Sequence, residues 1–321
     1  MDRKALREFT HNAKNFLTVS NQDYKQWVFR YTFLELEKDL GRAGDITSNS
    51  VFSEKRQATA KIIAKSTGII AGSEEIKYFL VDADKNFRPS LRGDFSLKFH
   101  KLEGETVNPG DTIVEISGEI HDLLAIERTV LNLLMRMSGV ATYTKKLVEL
   151  AGPNVLITPT RKTLWGWLDK KAVTIGGGGT HRLNLSDSII VKDTHLDLLN
   201  RNIEKAVQNI ATSNLDCRFI EIEVNTQEEA ITACKALSKS NLKTIGVIMF
   251  DNMPPAKISA ALRELKAQNL YDKFLFEASG GITEKNLIPY AESGVDVLSL
   301  GCLTLQSPSF DASLKIGHSN L

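Results

Sequence analysis

The sequence predicts an α/β chain, a β/α barrel preceded by a smaller sheet domain, and three observations carry that prediction. From about residue 130, short β-branched runs alternate with helical patterns. Before that point, two-residue alternation and turn dipeptides read as a small sheet. In the second half, polar residues stand at the end of one apolar run after another. The strands of a barrel all open onto one mouth, where chemistry is built. An open doubly wound sheet would use only the strands at its switch point.

Taken in order, residues 1–40 read as helical, with Tyr24, Trp27, Val28, Tyr31, Leu34 and Leu36 roughly on one face. The turn-rich Gly41–Asp45 follows. Alternation over Ala58–Lys65 marks a strand, and Val107–Val114 marks a turn between two others. Barrel strands are expected at 155–159, 188–192, 218–224, 245–250, 274–278 and 295–300. Helices are expected at 168–175, 226–239, 255–267 and 283–293. The division that results is an N-terminal domain over 1–130, a barrel over 131–304 and a tail over 305–321 that returns to the N-terminal domain.

Bulk composition narrows the function classes. Forty Lys+Arg balance thirty-nine Asp+Glu, so nucleic acid is not an expected partner and cationic chemistry must be local. No apolar run is long enough to span a bilayer, and no compact signal core is seen at the start, so no membrane partner is expected. Three widely spaced cysteines fit neither a disulfide framework nor a zinc site, and point to a reducing cytoplasm. His11, His100, His121 and His318 show no metal-ligand spacing and are expected at the surface.

The strand ends hold the candidate chemistry. Val155–Pro159 runs into Thr160, Arg161 and Lys162, and Ser188–Val191 into Lys192 and Asp193, with Gly176–Gly179, Thr180, His181 and Arg182 between them. A rim with this many cations suits a substrate with several negative groups. Lys192 is open to three readings: a solvated lysine, a phosphate ligand or a Schiff-base nucleophile. The glycine run is either a phosphate cradle or a helix stop and connector. Glu221 and Glu223 share one face of a strand. They are either solvated on an edge strand, or Glu223 pairs with Asp251 around a divalent cation, for which Mg²⁺ is suited. Ser279-Gly280-Gly281 and Gly301 end the last two strands, where barrel loops often hold phosphate through backbone N–H groups. Plain tight turns are the alternative. One ligand that satisfies the cations, the carboxylate pair and the glycine turns is a sugar carrying a 5-phosphate and a pyrophosphate.

Over residues 25–310 the chain resembles the quinolinate phosphoribosyltransferases, a type II phosphoribosyltransferase family. The resemblance rests on "EKDLGRAGDITS" from Glu37, "ERTVLNLLMRMSGVA" from Glu127, "TRKT" from Thr160 and "GGGGTHRLNLSDSIIVKDTH" ending at His195. It continues with "EIEV" from Glu221, "FDN" from Phe250, "EASGGI" from Glu277 and "GVDVLSLGCLT" from Gly294. It implies an incomplete, TIM-like β/α barrel with an N-terminal α/β sandwich, in a homodimer whose active sites are shared. It implies a pentosyltransferase that moves phosphoribose from phosphoribosyl pyrophosphate to quinolinate, giving nicotinate mononucleotide, pyrophosphate and CO₂ for NAD biosynthesis. Arg128, from the partner, would join Arg161, His181, Arg182 and Lys192 on the dicarboxylate. Lys162 would serve both substrates. Glu223 and Asp251 would position Mg²⁺ and the pyrophosphate, and Ser279, Gly280, Gly281 and Gly301 the 5-phosphate.

Four departures from the family pattern bear on this. Pro159 stands where Asp is common, and Thr163–Trp167 is shorter than the usual loop and lacks its Arg. Thr194 replaces an Asn, and Leu305 a His. Trp165 and Trp167 either stack on an aromatic substrate or pack the shortened loop. Other readings are a sibling transferase acting on nicotinate, a homologue associated with molybdate transport, a Schiff-base aldolase on Lys192 and a binding-only descendant.

Overall fold

The computed structural model describes residues 2–83, 91, 93–213 and 215–317. Asp2 opens α1 (Arg3–His11), its carboxylate accepting the Ala5 N–H. Asn21 caps α2 (Gln22–Leu40) in the same way, and Gly41, at φ 51°, ends it. Then come α3 (Ile46–Val51), β1 (Gln57–Ala64), β2 (Gly68–Ile69) and α4 (Ser73–Lys77). β3 (Ser96–Phe99), β4 (Thr106–Val107) and β5 (Thr112–Glu119) lead into the long α5 (Ile120–Ala151). Strand and helix then alternate: β6 (Leu156–Pro159), α6 (Trp167–Ile175), β7 (Ile189–Val191), α7 (Asp193–Leu198), α8 (Ile203–Ser213) and β8 (Phe219–Val224). The pattern continues through α9 (Gln227–Lys239), β9 (Ile245–Asp251), α10 (Pro255–Ala267), β10 (Leu275–Ser279), α11 (Leu287–Ala291), β11 (Val297–Leu300) and α12 (Cys302–Leu305), and β12 (Ala312–Gly317) closes it. Each expected barrel strand is present. Among the described residues no helix is long and apolar enough to cross a membrane.

The chain divides into two compact units, and the division is not a single cut near residue 130. One unit draws on residues 15–143, 167–176 and 307–321; the other on 1–14, 144–166 and 177–306.

The first unit is built on an antiparallel sheet in the order β12-β1-β5-β3. Along β1 the small and branched Ala58, Ala60, Ile62 and Ala64 are buried while the residues between them are not, as a strand with one covered face requires. On α2 the buried face is Tyr24, Val28, Thr32 and Leu36, a strict spacing of four. Trp27 and Leu34, expected on that face, are 41% and 60% exposed because they are rotated away from this stripe. Trp167 packs edge-on against Phe16 and near Trp27, at ring separations of 5.2 and 5.9 Å. His121, expected at the surface, is buried, its Nδ1 2.8 Å from Glu119 Oε1. His100 is exposed, and His318 lies outside the described residues.

The second unit holds a parallel sheet in the order β6-β11-β10-β9-β8-β7. β6 and β7 are its two edges, so the barrel is incomplete between them. Ile190, Phe219, Val247, Met249 and Leu275 form an apolar cluster, and Leu6 of α1 packs on it. α1 is tied to the segments that precede the strands. Arg3 binds Asp296 and the Tyr271 carbonyl, and Arg7 binds the Pro153 and Asn154 carbonyls. Arg218 donates to the Thr10 carbonyl at 3.0 Å. The first helix therefore covers the amino-terminal end of the barrel, opposite the end where the strands deliver their polar residues.

Candidate active site

A parallel register carries every strand's last residues to one level. Ser279 sits beside Asp251 on one side and Ser299 on the other. At that level lies a cavity of about 510 Å³. Arg161, Lys162, His181, Arg182, Lys192, Glu223, Asp251, Ser279, Gly280, Gly281 and Gly301 all line it. Of the residues that the family resemblance assigns to the two substrates and the cation, Arg128 is the one that does not. It lies on α5 in the sheet unit, with a 56% exposed side chain 3.4 Å from Glu127.

The cations occupy one side by construction. Thr160 Oγ1 accepts the Lys162 N–H at 3.1 Å, and Thr304 Oγ1 donates to the Lys162 carbonyl at 2.6 Å, which fixes the turn after β6. Arg182 is buried, and its Nη1 donates to the Ser188 carbonyl at 3.1 Å. Burial and the neighbouring Arg161 push its guanidinium below the usual arginine range. Like charges held together in this way favour an anion that relieves their repulsion.

The acids face them from β8 and β9. Burial, then repulsion by Asp251 and by Asp193, pushes Glu223 up to about 7, and Lys192 opposes the rise. Asn252 Nδ2 donates to Asp251 Oδ2 at 2.7 Å and orients that carboxylate. Two hard-oxygen carboxylates whose mutual repulsion is only partly balanced fit Mg²⁺, which needs few protein ligands when phosphate oxygens supply the rest.

The glycine turn after β10 is set by close approach. Gly280 has φ 92° and Gly281 φ 62°. A Cβ on Gly280 would lie 2.3 Å from Asn252 Oδ1 and 2.9 Å from its backbone nitrogen, whereas one on Gly281 would meet nothing within 4 Å. The second glycine therefore leaves bare backbone toward open cavity. Gly176–Gly179 plays another part, since none of the four lines the cavity. Gly177, at φ 92°, follows α6, and a Cβ on Gly179 would lie 2.6 Å from the His11 carbonyl. Helix stop and close packing explain that run.

Beneath the cavity lies a group the sequence reading missed. His11 is completely buried, not at the surface. Its ring stacks on Phe219 at 4.7 Å and meets His181 edge-on at 5.0 Å. Its Nε2 lies 3.1 Å from Glu277 Oε2 and 3.9 Å from Glu221 Oε2. His181 Nε2 lies 3.1 Å from Glu277 Oε1 and 3.6 Å from Glu221 Oε2. β8 is thus no edge strand, and Glu221 is an interior acid set among imidazoles. The Arg182 N–H donates to His181 Nδ1 at 2.8 Å, so the His181 proton sits on Nε2 facing Glu277. That tautomer makes His11, Glu277 and His181 a hydrogen-bonded chain, with the Glu221 carboxylate beside it at 3.6 and 3.9 Å and no hydrogen bond of its own. His181 itself adopts φ 53°, held by its N–H and that of Thr180, which donate to the His11 carbonyl at 2.9 and 2.7 Å. The only sequence sign of this was the stripe Arg3, Leu6, Arg7 and Thr10 on α1, which looks like a solvated face.

The four departures fall unevenly. Pro159 is buried in β6 beside Leu300, and Thr194 donates its N–H to Asp193 Oδ1 at 2.6 Å. Neither Trp165 nor Trp167 lines the cavity, but Leu305 does.

Comparison with known proteins agrees with this geometry. Residues 45–138 match the quinolinate phosphoribosyl transferase N-terminal domain, and residues 140–315 match its C-terminal domain. A probable nicotinate-nucleotide pyrophosphorylase [carboxylating] of Bacillus subtilis is 37% identical over 298 residues, covering 91% of this chain and 93% of that one. Quinolinate phosphoribosyltransferase [decarboxylating] 1 of Nicotiana glauca is 31% identical, covering 96% of this chain and 87% of that one. The solved nicotinate-nucleotide pyrophosphorylase of Francisella tularensis superposes with a TM-score of 0.75 at 28% identity, over 91% of this chain and 96% of that one. Matches spanning both domains place the chain in the quinolinate phosphoribosyltransferase family.

Proposed function

We propose that the protein transfers phosphoribose from phosphoribosyl pyrophosphate to quinolinate, releasing pyrophosphate and CO₂ and forming nicotinate mononucleotide. The observation that carries this reading is that one cavity sets Arg161, Lys162, Arg182 and Lys192 against Glu223, Asp251 and the Ser279–Gly281 turn. A dicarboxylate needs more cations than a monocarboxylate, and this cavity has them.

Each group then has a task. Arg161, Arg182 and Lys192 hold the two ring carboxylates, and His181, with both nitrogens engaged, supports Arg182 from behind. The backbone at Gly280, Gly281 and Gly301 holds the 5-phosphate, with Ser279 beside it. Glu223 and Asp251 would hold Mg²⁺, which supplies charge stabilisation to the departing pyrophosphate. Lys162 reaches the same oxygens and stabilises them as negative charge develops. With both substrates so placed, the ring nitrogen attacks C1 of the ribose as the C1–O bond to pyrophosphate breaks. The quaternised ring then accepts the electron pair of the departing CO₂, and the cations around it stabilise that carbanion. Proton uptake at the vacated carbon completes nicotinate mononucleotide.

We also place Arg128 of a second copy at the acid site, in a homodimer working in the cytoplasm. Support comes from the exposed position of Arg128 and from its "ERTVLN" setting. Pyrophosphate release in the presence of Mg²⁺, phosphoribosyl pyrophosphate and quinolinate tests the reaction. Release that requires quinolinate supports it, and release that ignores the acid counts against it. Mixing Arg128→Ala chains with active-site-dead Lys162→Ala chains tests the sharing, because activity should return only in mixed dimers.

A further inference from the structure

Resting on the reading above, we propose that Asn252 is a positioning residue for the phosphoribosyl donor. Its one side-chain amide aims the Asp251 carboxylate at the cation and seats the glycine turn that receives the 5-phosphate.

Asn252 directly follows β9, lines the cavity and takes φ 52°, a left-handed conformation that few residues other than glycine adopt. Glycine would suit that backbone at least as well, so what asparagine adds is its amide. The Asn252 N–H donates to the Ser279 carbonyl at 2.9 Å, which sets the residue beside the turn after β10. The side chain then has two neighbours. Nδ2 donates to Asp251 Oδ2 at 2.7 Å. A carboxylate accepts and does not donate, so the NH₂ group faces Asp251 and the amide oxygen faces the other way. There it lies against Gly280, where a Cβ would come within 2.3 Å of Oδ1 and 2.6 Å of Cγ. The amide is a spacer of fixed orientation between the acid that ends β9 and the turn that ends β10.

Both contacts serve the donor. The Asp251 backbone is held separately, Asn225 Nδ2 donating to its carbonyl at 3.5 Å, so removing the amide frees the carboxylate alone. A cation ligand free to turn binds more weakly, because its orientation must then be fixed on binding. Gly280 without the amide loses the wall on one side of the turn, and the backbone offered to the phosphate is less well placed in advance. Arg161, Arg182 and Lys192 stand on other segments, after β6 and on either side of β7, so the acid side of the cavity is spared.

The test compares wild type with Asn252→Gly, which keeps the backbone angle and removes the amide, and with Asn252→Ala, which removes the amide and adds strain. Electron paramagnetic resonance reads Mn²⁺ binding to the protein alone, and calorimetry reads ribose 5-phosphate and quinolinate separately. Asn252→Gly is expected to weaken Mn²⁺ binding by about tenfold and ribose 5-phosphate binding by about threefold or more, with quinolinate within about twofold of wild type. Its Tm should not fall. Asn252→Ala should show the same binding losses with a lower Tm. Normal affinities in the glycine variant, with only the alanine variant impaired, would show that Asn252 serves the backbone angle alone and would overturn the proposal. Weakening of one donor probe without the other, an equal weakening of quinolinate, or a glycine variant that does not fold overturns it as well. Wild-type protein that binds neither Mn²⁺ nor ribose 5-phosphate overturns the donor-site reading and the proposal with it. The expected losses in a protein that does not turn over quinolinate support the proposal and overturn only the assigned reaction.

Discussion

His11 and Glu277, 266 residues apart in the chain, meet inside the barrel with Nε2 3.1 Å from Oε2. The first helix is thereby coupled to the floor of the cavity. The partner across Glu277 is His181, whose own Nε2 reaches the other carboxylate oxygen at 3.1 Å. One buried carboxylate thus ties the segment that covers the barrel to the loop that presents Arg182.

This coupling should make stability depend on pH in a defined sense. Burial pulls the His11 pKa down, but Glu221 and Glu277 outweigh it and raise it from 6.5 to about 9. A raised folded-state pKa gives stability that is fully present below 6.5 and lost as pH rises through 9. The Tm is therefore expected to fall between pH 7 and pH 10. His11→Gln should flatten that fall, and thermal denaturation across this range checks it. An equally steep fall in the variant would assign the effect to other groups.

Arg182→Ala should weaken quinolinate binding by about 10- to 100-fold, the usual cost of one charged hydrogen-bonding partner. Phosphoribosyl pyrophosphate should bind as before. Calorimetric titration with each ligand separates the two, and normal binding of both would show that the acid pocket has been assigned to the wrong residues.

Gly280→Ala places a methyl group against Asn252 at a backbone angle that L-residues avoid. A loss of roughly 1–3 kcal/mol in stability is expected from the strained backbone, with a raised KM for phosphoribosyl pyrophosphate. Gly281→Ala is also strained at φ 62°, but with open space beside its Cβ it meets no clash, so it should cost less stability and act more on the phosphate. Chemical denaturation and initial rates on both variants distinguish these effects.

Glu223, pushed up to about 7 in the free protein, must lose its proton to act as a cation ligand. Mg²⁺ affinity should therefore rise with pH between about 6 and 8, with proton release on binding. Glu223→Gln should remove that pH dependence and lower kcat by about 10²- to 10³-fold. Titrations in two buffers of different ionisation enthalpy measure the released proton directly.

Much of the barrel was legible because its strands are short, β-branched and bounded by polar residues. Periodicity placed β6 to β11, and the strand-end positions of Lys162, Lys192, Asp251 and Ser279 follow from the same rule. What lay hidden depends on contacts far apart in sequence. α1 carries Arg3, Arg7, Thr10 and His11, polar side chains that resemble a solvated face until the loops before the strands receive the arginines and the barrel interior receives His11. Gly179 belongs to a run that reads equally as a phosphate cradle or as a helix stop and connector, and it is small because the His11 carbonyl lies against it. The exposure of Trp27 and Leu34 shows that an apolar stripe wider than the spacing-of-four row overstates what a helix buries.

The most direct test of the central claim offers quinolinate and nicotinate separately, with Mg²⁺ and phosphoribosyl pyrophosphate, and measures nucleotide and CO₂ together. Nicotinate mononucleotide and CO₂ in equal amounts from quinolinate, with no product from nicotinate, is the predicted result. Product from nicotinate alone, or nucleotide formed from quinolinate without CO₂, would contradict it.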